Sequence, residues 1–208
     1  MTFITQLSLF DVYQFTDVAN DRLPADQQAQ RPLDLTHAKG LALYFLKALI
    51  ESAMAKKRRS PEIVSEIFQE TLNQIGHQAY YSIPPLVANV RTLKVHDIRP
   101  ETDRNGQVVS YKVTLAHGDV LWVIDGQHRR KGIQLVVEFL DHVTSYHKYP
   151  KNSFYPIKKN EATIEEINMW NACKEMSKFC SVALEVHIGL DVLQEQTLFV
   201  DLNNKSKK

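Results

Sequence analysis

The sequence predicts an α+β domain in which a small mixed β-sheet is flanked by helices. An apolar run at 120–124 has the length of a buried strand, ends at Asp125-Gly126 and is followed by a helical pattern at 133–140. Residues 181–188 alternate between apolar and polar side chains, as a strand with one polar face does. Apolar side chains at 41–49 recur at helical spacing, so helices and strands are mixed along the chain.

The first sixty residues are predicted to form one strand and one long helix. Residues 5–16 alternate loosely and carry Val, Tyr and Phe, which indicates an opening strand. Thr36 is a suitable N-cap for a helix over 38–54, and the basic run Lys56-Lys57-Arg58-Arg59 follows at its end, where cations suit the helix dipole. Ser60-Pro61-Glu62 is expected to open a second helix.

The middle of the chain is rich in strand and turn signals. Residues 86–91 are mostly apolar and predict a strand. Asn105-Gly106 is typical of a hairpin turn, with 108–115 as its second strand. His117-Gly118-Asp119 predicts another turn, which returns the chain into the strand at 120–124. We expect these strands to form one small mixed sheet.

Helices and one loop are predicted in the last third. A helix over about 127–142 is followed by a loop insertion at 146–162, which is rich in Lys, Tyr, Pro and Asn. Thr163-Ile164-Glu165-Glu166 is a capping box that opens the next helix, which is expected to end near Lys178. Asp191-Val192-Leu193-Gln194 has the pattern of another helix cap after the final strand.

We predict a single domain over residues 1–208, large enough for a substantial core. The abrupt ending at Lys205-Ser206-Lys207-Lys208 suggests that a C-terminal portion is missing. The helices at 38–54 and 127–142 are expected to cover the sheet, with the functional site at one sheet edge.

The composition is that of an ordinary soluble globular protein, with 44% hydrophobic and 24% charged residues. The net charge of +1 provides no global basic field that would attract nucleic acid. Any DNA contact must therefore come from a local patch. Lys56, Lys57, Arg58 and Arg59 are the candidates, although their place at a helix end is the simpler explanation of their charge.

Cys173 and Cys180 are the two cysteines, and their surroundings lack the spacing of a metal site or a redox motif. We therefore predict neither a bound structural metal nor a disulfide, and we expect both side chains in the core. No apolar run approaches the roughly 18–20 residues that span a bilayer, and residues 1–6 show no secretory signal. A cytoplasmic protein with no membrane partner is expected.

The strand-to-helix turn at 125–131 is the strongest functional signal. Such a turn directs free backbone N–H groups and the positive end of a helix dipole at one point. The basic run His128-Arg129-Arg130-Lys131 opposes that dipole, so an anion, most simply phosphate, is the predicted ligand. The alternatives are that Asp125 is a plain N-cap and that the basic residues form a solvated first turn.

Asp201 and Asn203 form a second oxygen-rich pair, two residues apart. They are placed to approach a ribose or a metal-bound water. Alternatively, they turn the chain after a helix, because Asp and Asn favour such positions. The preceding Leu198 and Phe199 are predicted to lie in the core.

Asp125-Gly126-Gln127-His128-Arg129 resembles the DGQHR signature of DndB-like proteins, which accompany DNA-modification systems such as phosphorothioation. Three further segments match in order: Arg31-Pro32-Leu33, Ile83-Pro84-Pro85-Leu86-Val87 and Leu198-Phe199-Val200-Asp201-Leu202-Asn203. The family is similar to the ParB/sulfiredoxin-like superfamily, whose members hold a nucleotide's phosphates with an Arg-bearing turn at a helix N-terminus. The resemblance implies that fold for most of residues 30–204.

The resemblance also implies roles for individual residues. Gly126 would permit close backbone approach, and Asp125 would hold a divalent cation or orient Arg129. The candidate phosphate and nucleotide contacts are Gly126, Gln127, His128, Arg129, Arg130, Asp201 and Asn203. Catalytic roles are implied for Asp125, His128 and Arg129, and Mg²⁺ with ATP or CTP is the implied cofactor. No cysteine occupies the signature, so sulfiredoxin's thiol chemistry is not expected.

Two functions follow. The first is a nucleotide-phosphate-binding accessory or regulatory protein of a DNA-modification system of the phosphorothioation type. It would hydrolyse NTP slowly and have DNA, a nucleoside triphosphate and other DNA-modification proteins as partners. The alternative is a non-enzymatic, DNA-binding transcriptional regulator whose DGQHR turn clamps a backbone phosphate. A nuclease is least favoured, because the sequence lacks a dense acidic cluster of the two-metal kind.

Overall fold

The computed structural model describes residues 1–18, 32–59, 64–78, 80–91, 98–115 and 118–205. The strands are β1 (Thr2–Ser8), β2 (Thr16–Val18), β3 (Leu86–Val90), β4 (Ile98–Thr102), β5 (Val108–Val113), β6 (Leu121–Asp125) and β7 (Ser181–Ile188). The helices are α1 (Leu9–Phe15), α2 (Leu35–Arg58), α3 (Ile67–Ile75), α4 (Gln127–Tyr146), α5 (Ile164–Ser177) and α6 (Val192–Lys205). The α+β class is confirmed, while the ParB/sulfiredoxin-like arrangement stays a prediction.

The main sheet has five strands in the order β1-β7-β3-β6-β2. β1 pairs antiparallel with β7, and β7 pairs parallel with β3. β3 pairs antiparallel with β6, which pairs parallel with β2. The sheet is therefore mixed, as predicted. The turn after β6 follows an inner strand and is not at a sheet edge, so that part of the prediction is wrong.

The helices α2 and α4 pack closely on one face of this sheet. A Cβ atom added to Gly132 would lie 3.0 Å from the Leu41 Cβ atom and 3.2 Å from the carbonyl oxygen of Ala38. The absence of a side chain at Gly132 thus lets the two helix backbones approach each other. Their buried faces and that of α5 meet the inner residues of β3 and β7 in one hydrophobic core.

α6 packs on the other face of the sheet, against β6 and the end of β3. Along β3, Leu86 and Ala88 belong to the main core, whereas Asn89 points to the opposite face because strand side chains alternate. Asn89 is fully buried. Its Nδ2 atom donates to the carbonyl oxygen of Leu190 at 2.8 Å and to Glu195 Oε1 at 2.7 Å. These hydrogen bonds fix the start of α6 against β3.

Arg91 strengthens the same contact. Its Nε atom donates to Glu195 Oε1 at 2.9 Å, and its Nη2 atom also pairs with the Glu195 carboxylate. The guanidinium lies over the ring of Trp122, 4.8 Å from the ring centroid. Strand β6 is thereby connected to α6 through the end of β3.

The prediction of one opening strand over 5–16 is wrong in its second half. β1 ends at Ser8, whose hydroxyl oxygen accepts a hydrogen bond from the backbone N–H of Asp11 at 3.0 Å and so caps α1. Leu9 and Val12, one helical turn apart, are both buried. That spacing favours a helix over a strand. β2 follows α1 directly.

The long helix α2 begins earlier than predicted, and Thr36 is not its N-cap. Asp34 caps the helix, because its Oδ1 atom accepts from the backbone N–H groups of Thr36 and His37 at 2.9 and 3.1 Å. An aspartate at this position accepts two hydrogen bonds that the Thr36 hydroxyl, already inside the helix, does not. α2 ends at Arg58, so the basic run forms its last turn and C-cap.

The Asn105-Gly106 hairpin is confirmed, but it forms a sheet of its own. β4 and β5 pair antiparallel around a turn in which Gly106 has a φ of +78°. Asp103 Oδ1 accepts from the backbone N–H groups of Asn105 and Gln107 at 2.8 and 2.9 Å. The expectation that these strands join the main sheet is wrong, because both are almost wholly exposed and add no apolar face to the core.

The segment between α4 and α5 is a loop whose aromatic side chains are buried. Tyr149, Phe154 and Tyr155 pack around Phe139 and Trp170. The Tyr149 hydroxyl oxygen accepts from Trp170 Nε1 at 3.1 Å. The loop is thus anchored to the main core, while its status as an insertion at 146–162 stays a prediction.

Both helix caps predicted near the C-terminal end are confirmed. Thr163 Oγ1 accepts from the backbone N–H of Glu166 at 3.2 Å, and Glu166 Oε2 accepts from that of Thr163 at 2.9 Å. Asp191 Oδ1 accepts from the backbone N–H of Gln194 at 2.8 Å at the start of α6. β7 has the predicted bounds.

Some predictions fall on residues outside those described: Arg31, Ser60-Pro61-Glu62, His117 and Ser206-Lys207-Lys208. Cys173 is buried in the core as predicted, whereas Cys180 is only half-buried, and both thiols are free. Within the described ranges, no helix is both long and apolar enough to cross a membrane.

Candidate functional site

The turn from β6 into α4 has a backbone that only glycine adopts without strain. Gly126 precedes α4 with a φ of +98°, in the left-handed region. A Cβ atom here would overlap Leu86 Cδ2 and lie 3.0 Å from Arg129 Nε. No side chain among the described residues caps α4, so the predicted N-cap role of Asp125 is wrong. The first N–H groups of α4 are thus the kind that bind anions.

Arg129 is held in place by three oxygen atoms of the protein. Its Nη2 atom pairs with Asp125 Oδ2 at 2.6 Å. Its Nη1 atom donates to the carbonyl oxygens of Pro84 and Pro85 at 2.7 and 2.8 Å. The side chain is only 15% exposed. Asp125 therefore orients Arg129, as one of the two predicted alternatives has it, and Arg129 ties α4 to the segment before β3.

His128 and His37 join the starts of α4 and α2. The Nε2 atom of His128 accepts a hydrogen bond from the backbone N–H of Asp34 at 2.9 Å. The two imidazole rings meet edge to face, with centroids 5.1 Å apart. Because Nε2 is an acceptor, His128 is neutral and carries its proton on Nδ1. Two helix N-termini and two imidazoles thus lie side by side.

The position of His128 predicts a pH dependence of stability. Burial, and then the neighbouring His37, lower the pKa of His128 below its ordinary value of 6.5, although Asp34 acts in the opposite direction. The folded protein therefore favours neutral His128, and stability is lost as pH falls through 6.5. Between pH 7.5 and 5.5, we expect the melting temperature of the wild type to fall further than that of His128→Asn. Equal losses in the two proteins, measured by circular dichroism, would contradict this prediction.

A cleft of about 710 Å³ opens at this junction. The turn at 125–129 lines one end of it. His37, Leu41 and Tyr44, which share one face of α2 at helical spacing, form a side wall. The volume lies within the range of small-molecule and cofactor pockets.

A second wall is formed by residues that precede β3, namely Gln78, Tyr80, Ser82, Ile83 and Pro84. Tyr44 fixes this wall, because its hydroxyl donates to the carbonyl oxygen of Ser82 at 3.0 Å and accepts from the Ser82 N–H at 2.8 Å. Arg129 fixes the end of the same segment through Pro84. The second wall is thus hydrogen-bonded both to α2, through Tyr44, and to α4, through Arg129.

Comparison with protein families identifies the chain. The family model for DndB, described as DNA-sulfur modification-associated, matches residues 1–208. The chain belongs to the DndB family. Neither curated proteins nor solved structures give a match. DndB membership implies a role in a DNA phosphorothioation system.

Six of the eight residues predicted to have catalytic or nucleotide-binding roles in this DndB-family chain line one cleft. Asp125, Gly126, Gln127, His128, Arg129 and Asn203 are among its lining residues. Asn203 lies on α6, where its Nδ2 atom donates to the carbonyl oxygen of Phe199 at 2.8 Å. Phe199 also lines the cleft and is half-buried, so its prediction as a core residue is wrong.

Arg130 and Asp201 do not line the cleft. The Nη2 atom of Arg130 donates to the carbonyl oxygen of Thr16 at 2.8 Å, which turns the side chain toward β2. Asp201 is exposed within α6, so the alternative in which Asp201 and Asn203 turn the chain after a helix is wrong. Neither Arg130, although it lies in the first turn of α4, nor Asp201 is therefore a lining residue of the cleft.

The basic run lies at the opposite end of α2 from the cleft. With 24 residues, α2 is about 36 Å long. Lys56 Nζ sits over the ring of Phe179, 5.0 Å from its centroid, and Arg58 Nη2 contacts Met54 Sδ at 3.5 Å. Cations here complement the helix dipole, so the helix-end explanation fits the geometry.

Sequence reasoning missed His37, Tyr44, Gln78 and Tyr80 as residues of the cleft. A signal existed for the first two, since His37, Leu41 and Tyr44 follow i, i+4, i+7 spacing on α2. Among the described residues, no group of three or more His, Cys, Asp or Glu side chains is arranged to hold a metal ion. Asp125 is the carboxylate that the described lining offers.

Proposed function

We propose that the cleft binds a nucleoside triphosphate through its phosphates, and that this binding serves an accessory or regulatory role in DNA phosphorothioation. The observation that carries the proposal is the start of α4, which opens into the cleft through Gly126 without a side-chain cap. Backbone N–H groups and the positive end of a helix dipole attract phosphate oxygens. His128 adds a donor, because its Nδ1 atom carries the proton.

The concave shape favours a nucleotide over a DNA backbone phosphate. A cleft of about 710 Å³ encloses a ligand of nucleotide size, whereas a duplex phosphate lies on a convex surface. Arg129 supports the phosphate site mainly by holding the neighbouring backbone in place. Its bonds to Asp125, Pro84 and Pro85 hold the wall, and its Nε and Nη2 atoms lie close to Gly126.

Magnesium fits this site only as a companion of the nucleotide. Mg²⁺ commonly binds through one or two carboxylates together with substrate phosphates. Asp125 supplies one carboxylate, 38% exposed and paired with Arg129 through Oδ2. We therefore propose ATP or CTP with Mg²⁺ as the ligand and slow hydrolysis as its reaction, in which Asp125 would orient a water, and His128 and Arg129 would stabilise charge on the phosphates.

DNA and other DNA-modification proteins are the proposed macromolecular partners. For DNA, the basic run Lys56-Lys57-Arg58-Arg59 remains the candidate surface, since Lys56, Arg58 and Arg59 are exposed. Its distance from the cleft along α2 would let the protein hold a nucleotide and DNA at the same time.

Titration of ATP, CTP and GTP with Mg²⁺ into the wild type, followed by calorimetry, tests the nucleotide proposal. We expect binding that Arg129→Ala weakens at least tenfold, because the wall and the phosphate site lose their support. Arg130→Ala is the matched control. It removes an arginine from the same helical turn but one directed at Thr16, so its affinity should stay within about threefold of the wild type.

Two results would contradict the proposal. Equal loss of affinity in Arg129→Ala and Arg130→Ala, with both proteins folded, would place the site elsewhere. Absence of any nucleotide binding, together with duplex binding that weakens steeply with salt, would favour the alternative of a DNA-binding regulator. Phosphate release by wild type and Asp125→Asn then separates binding from hydrolysis.

A further inference from the structure

We propose that the end of the cleft away from α4 binds the nucleotide's base, with Tyr80 as the stacking partner and Gln78 as the residue that contacts the base edge. The inference rests on the phosphate binding proposed above for the α4 end. A phosphate site alone would bind ligands with or without a base, whereas the inference predicts that tight binding requires a nucleobase.

The wall formed by α2 gives the cleft a direction. His37 meets His128 at the start of α4, with ring centroids 5.1 Å apart. Tyr44 lies seven residues further along the same face, about 10 Å away by helical rise. That distance is comparable with the span from a nucleotide's first phosphate to its base. The Tyr44 end is therefore the place where a base would lie.

The second wall runs in the same direction. Pro84 is bound by Arg129 at the α4 end, and Ser82 is bound by Tyr44 further along. Tyr80 and Gln78 precede Ser82 in the chain and also line the cleft. The two walls thus carry the same polarity, with imidazole and backbone donors at one end and aromatic and amide groups at the other.

Tyr80 has the properties of a stacking residue. It lines the cleft, yet the residue is 73% exposed, so its ring is open to a flat ligand. Gln78 Nε2 donates to the backbone carbonyl oxygen of Tyr80 at 2.8 Å, which holds the amide next to the Tyr80 backbone. The amide has a further N–H and an oxygen that suit a base edge. Stacking on an aromatic ring is tolerant of base identity.

Calorimetric titration of ATP with Mg²⁺ and of inorganic triphosphate with Mg²⁺ tests the inference on the full chain. We expect Tyr80→Ala to weaken ATP binding by about 5- to 150-fold, the effect of losing one stacked base. Tyr80→Phe keeps the ring and should bind ATP like the wild type. Triphosphate should bind more weakly than ATP and equally to all three proteins, because it has no base.

Tyr146→Ala is the matched control. Tyr146 is 67% exposed at the opposite end of α4, so the substitution removes a similar ring far from the cleft and should leave ATP binding unchanged. The inference is overturned if Tyr80→Ala binds ATP like the wild type, or if triphosphate binds the wild type as tightly as ATP. In both cases the phosphate site stands. If neither ligand binds the wild type, the phosphate site and the base site fall together.

Discussion

Gly126→Ala is expected to lower the free energy of unfolding by about 2–5 kcal/mol and to remove ligand binding at the cleft. Two costs add up at this residue. A φ of +98° costs a residue with a Cβ about 1–2 kcal/mol. The new Cβ would also overlap Leu86 Cδ2 and crowd Arg129, and overpacking of this kind costs about 1–3 kcal/mol. Urea denaturation of variant and wild type measures the sum.

Two other glycines separate these costs. Gly106 has a φ of +78° with open space around its Cβ position, so Gly106→Ala should show the conformational cost alone. Gly40 lies within α2, also in open space and without a positive φ, so Gly40→Ala should stabilise the protein by about 0.5–1 kcal/mol. A Gly126→Ala effect no larger than that of Gly106→Ala would show that Leu86 and Arg129 yield without cost.

Glu195→Ala is expected to lower the free energy of unfolding by about 2–4 kcal/mol. Glu195 is 6% exposed and accepts hydrogen bonds from Asn89 and Arg91. Its removal takes one of two acceptors from the buried Asn89 amide and the carboxylate partner from the Arg91 guanidinium, and breaking a buried ion pair costs about 3–5 kcal/mol. The partial exposure of Arg91, at 26%, reduces this loss. Chemical denaturation measures the change.

Glu175→Ala is the matched control for that experiment. Glu175 forms an ion pair with Lys178 at 2.8 Å, but both side chains are exposed, so little change is expected. Glu195 also anchors α6, which carries Phe199 and Asn203 into the cleft. Glu195→Ala should therefore weaken nucleotide binding as well. A folded variant of wild-type stability would show that α6 is held by its apolar contacts alone.

The fold was predictable where the sequence carries a local signal. Three predictions depend only on neighbours in the chain, and all three are confirmed: the end of β6 at Asp125, the capping box at Thr163 and the alternation along β7. α1 was missed because residues 5–16 satisfy a loose alternation, and the cap at Ser8 carries less weight than that pattern. The separate hairpin sheet depends on burial, which alternation alone does not reveal.

The cleft was predictable only in the turn at 125–129. The Asp125–Arg129 stretch is contiguous, so its chemistry is visible in the sequence. The partners of Arg129 are the backbone carbonyl groups of Pro84 and Pro85, and carbonyl groups are common to all residues. Likewise, the segment that carries Tyr80 is held against α2 by the hydrogen bond from the Ser82 N–H to the Tyr44 hydroxyl. Such distant pairings leave no pattern in a single sequence.

Different helices pack on the two faces of the main sheet, and each face carries one tryptophan whose fluorescence reports on that face. The chain has two tryptophans. Trp170 is wholly buried in the aromatic cluster on the α4 side, whereas Trp122 lies half-buried beneath Arg91 on the α6 side. Indole emission depends on local polarity and on nearby charge. Replacing one tryptophan with Phe would therefore leave a single fluorophore on one face of the sheet. The fluorescence of Trp122 would report detachment of α6, and that of Trp170 would report unfolding of the core.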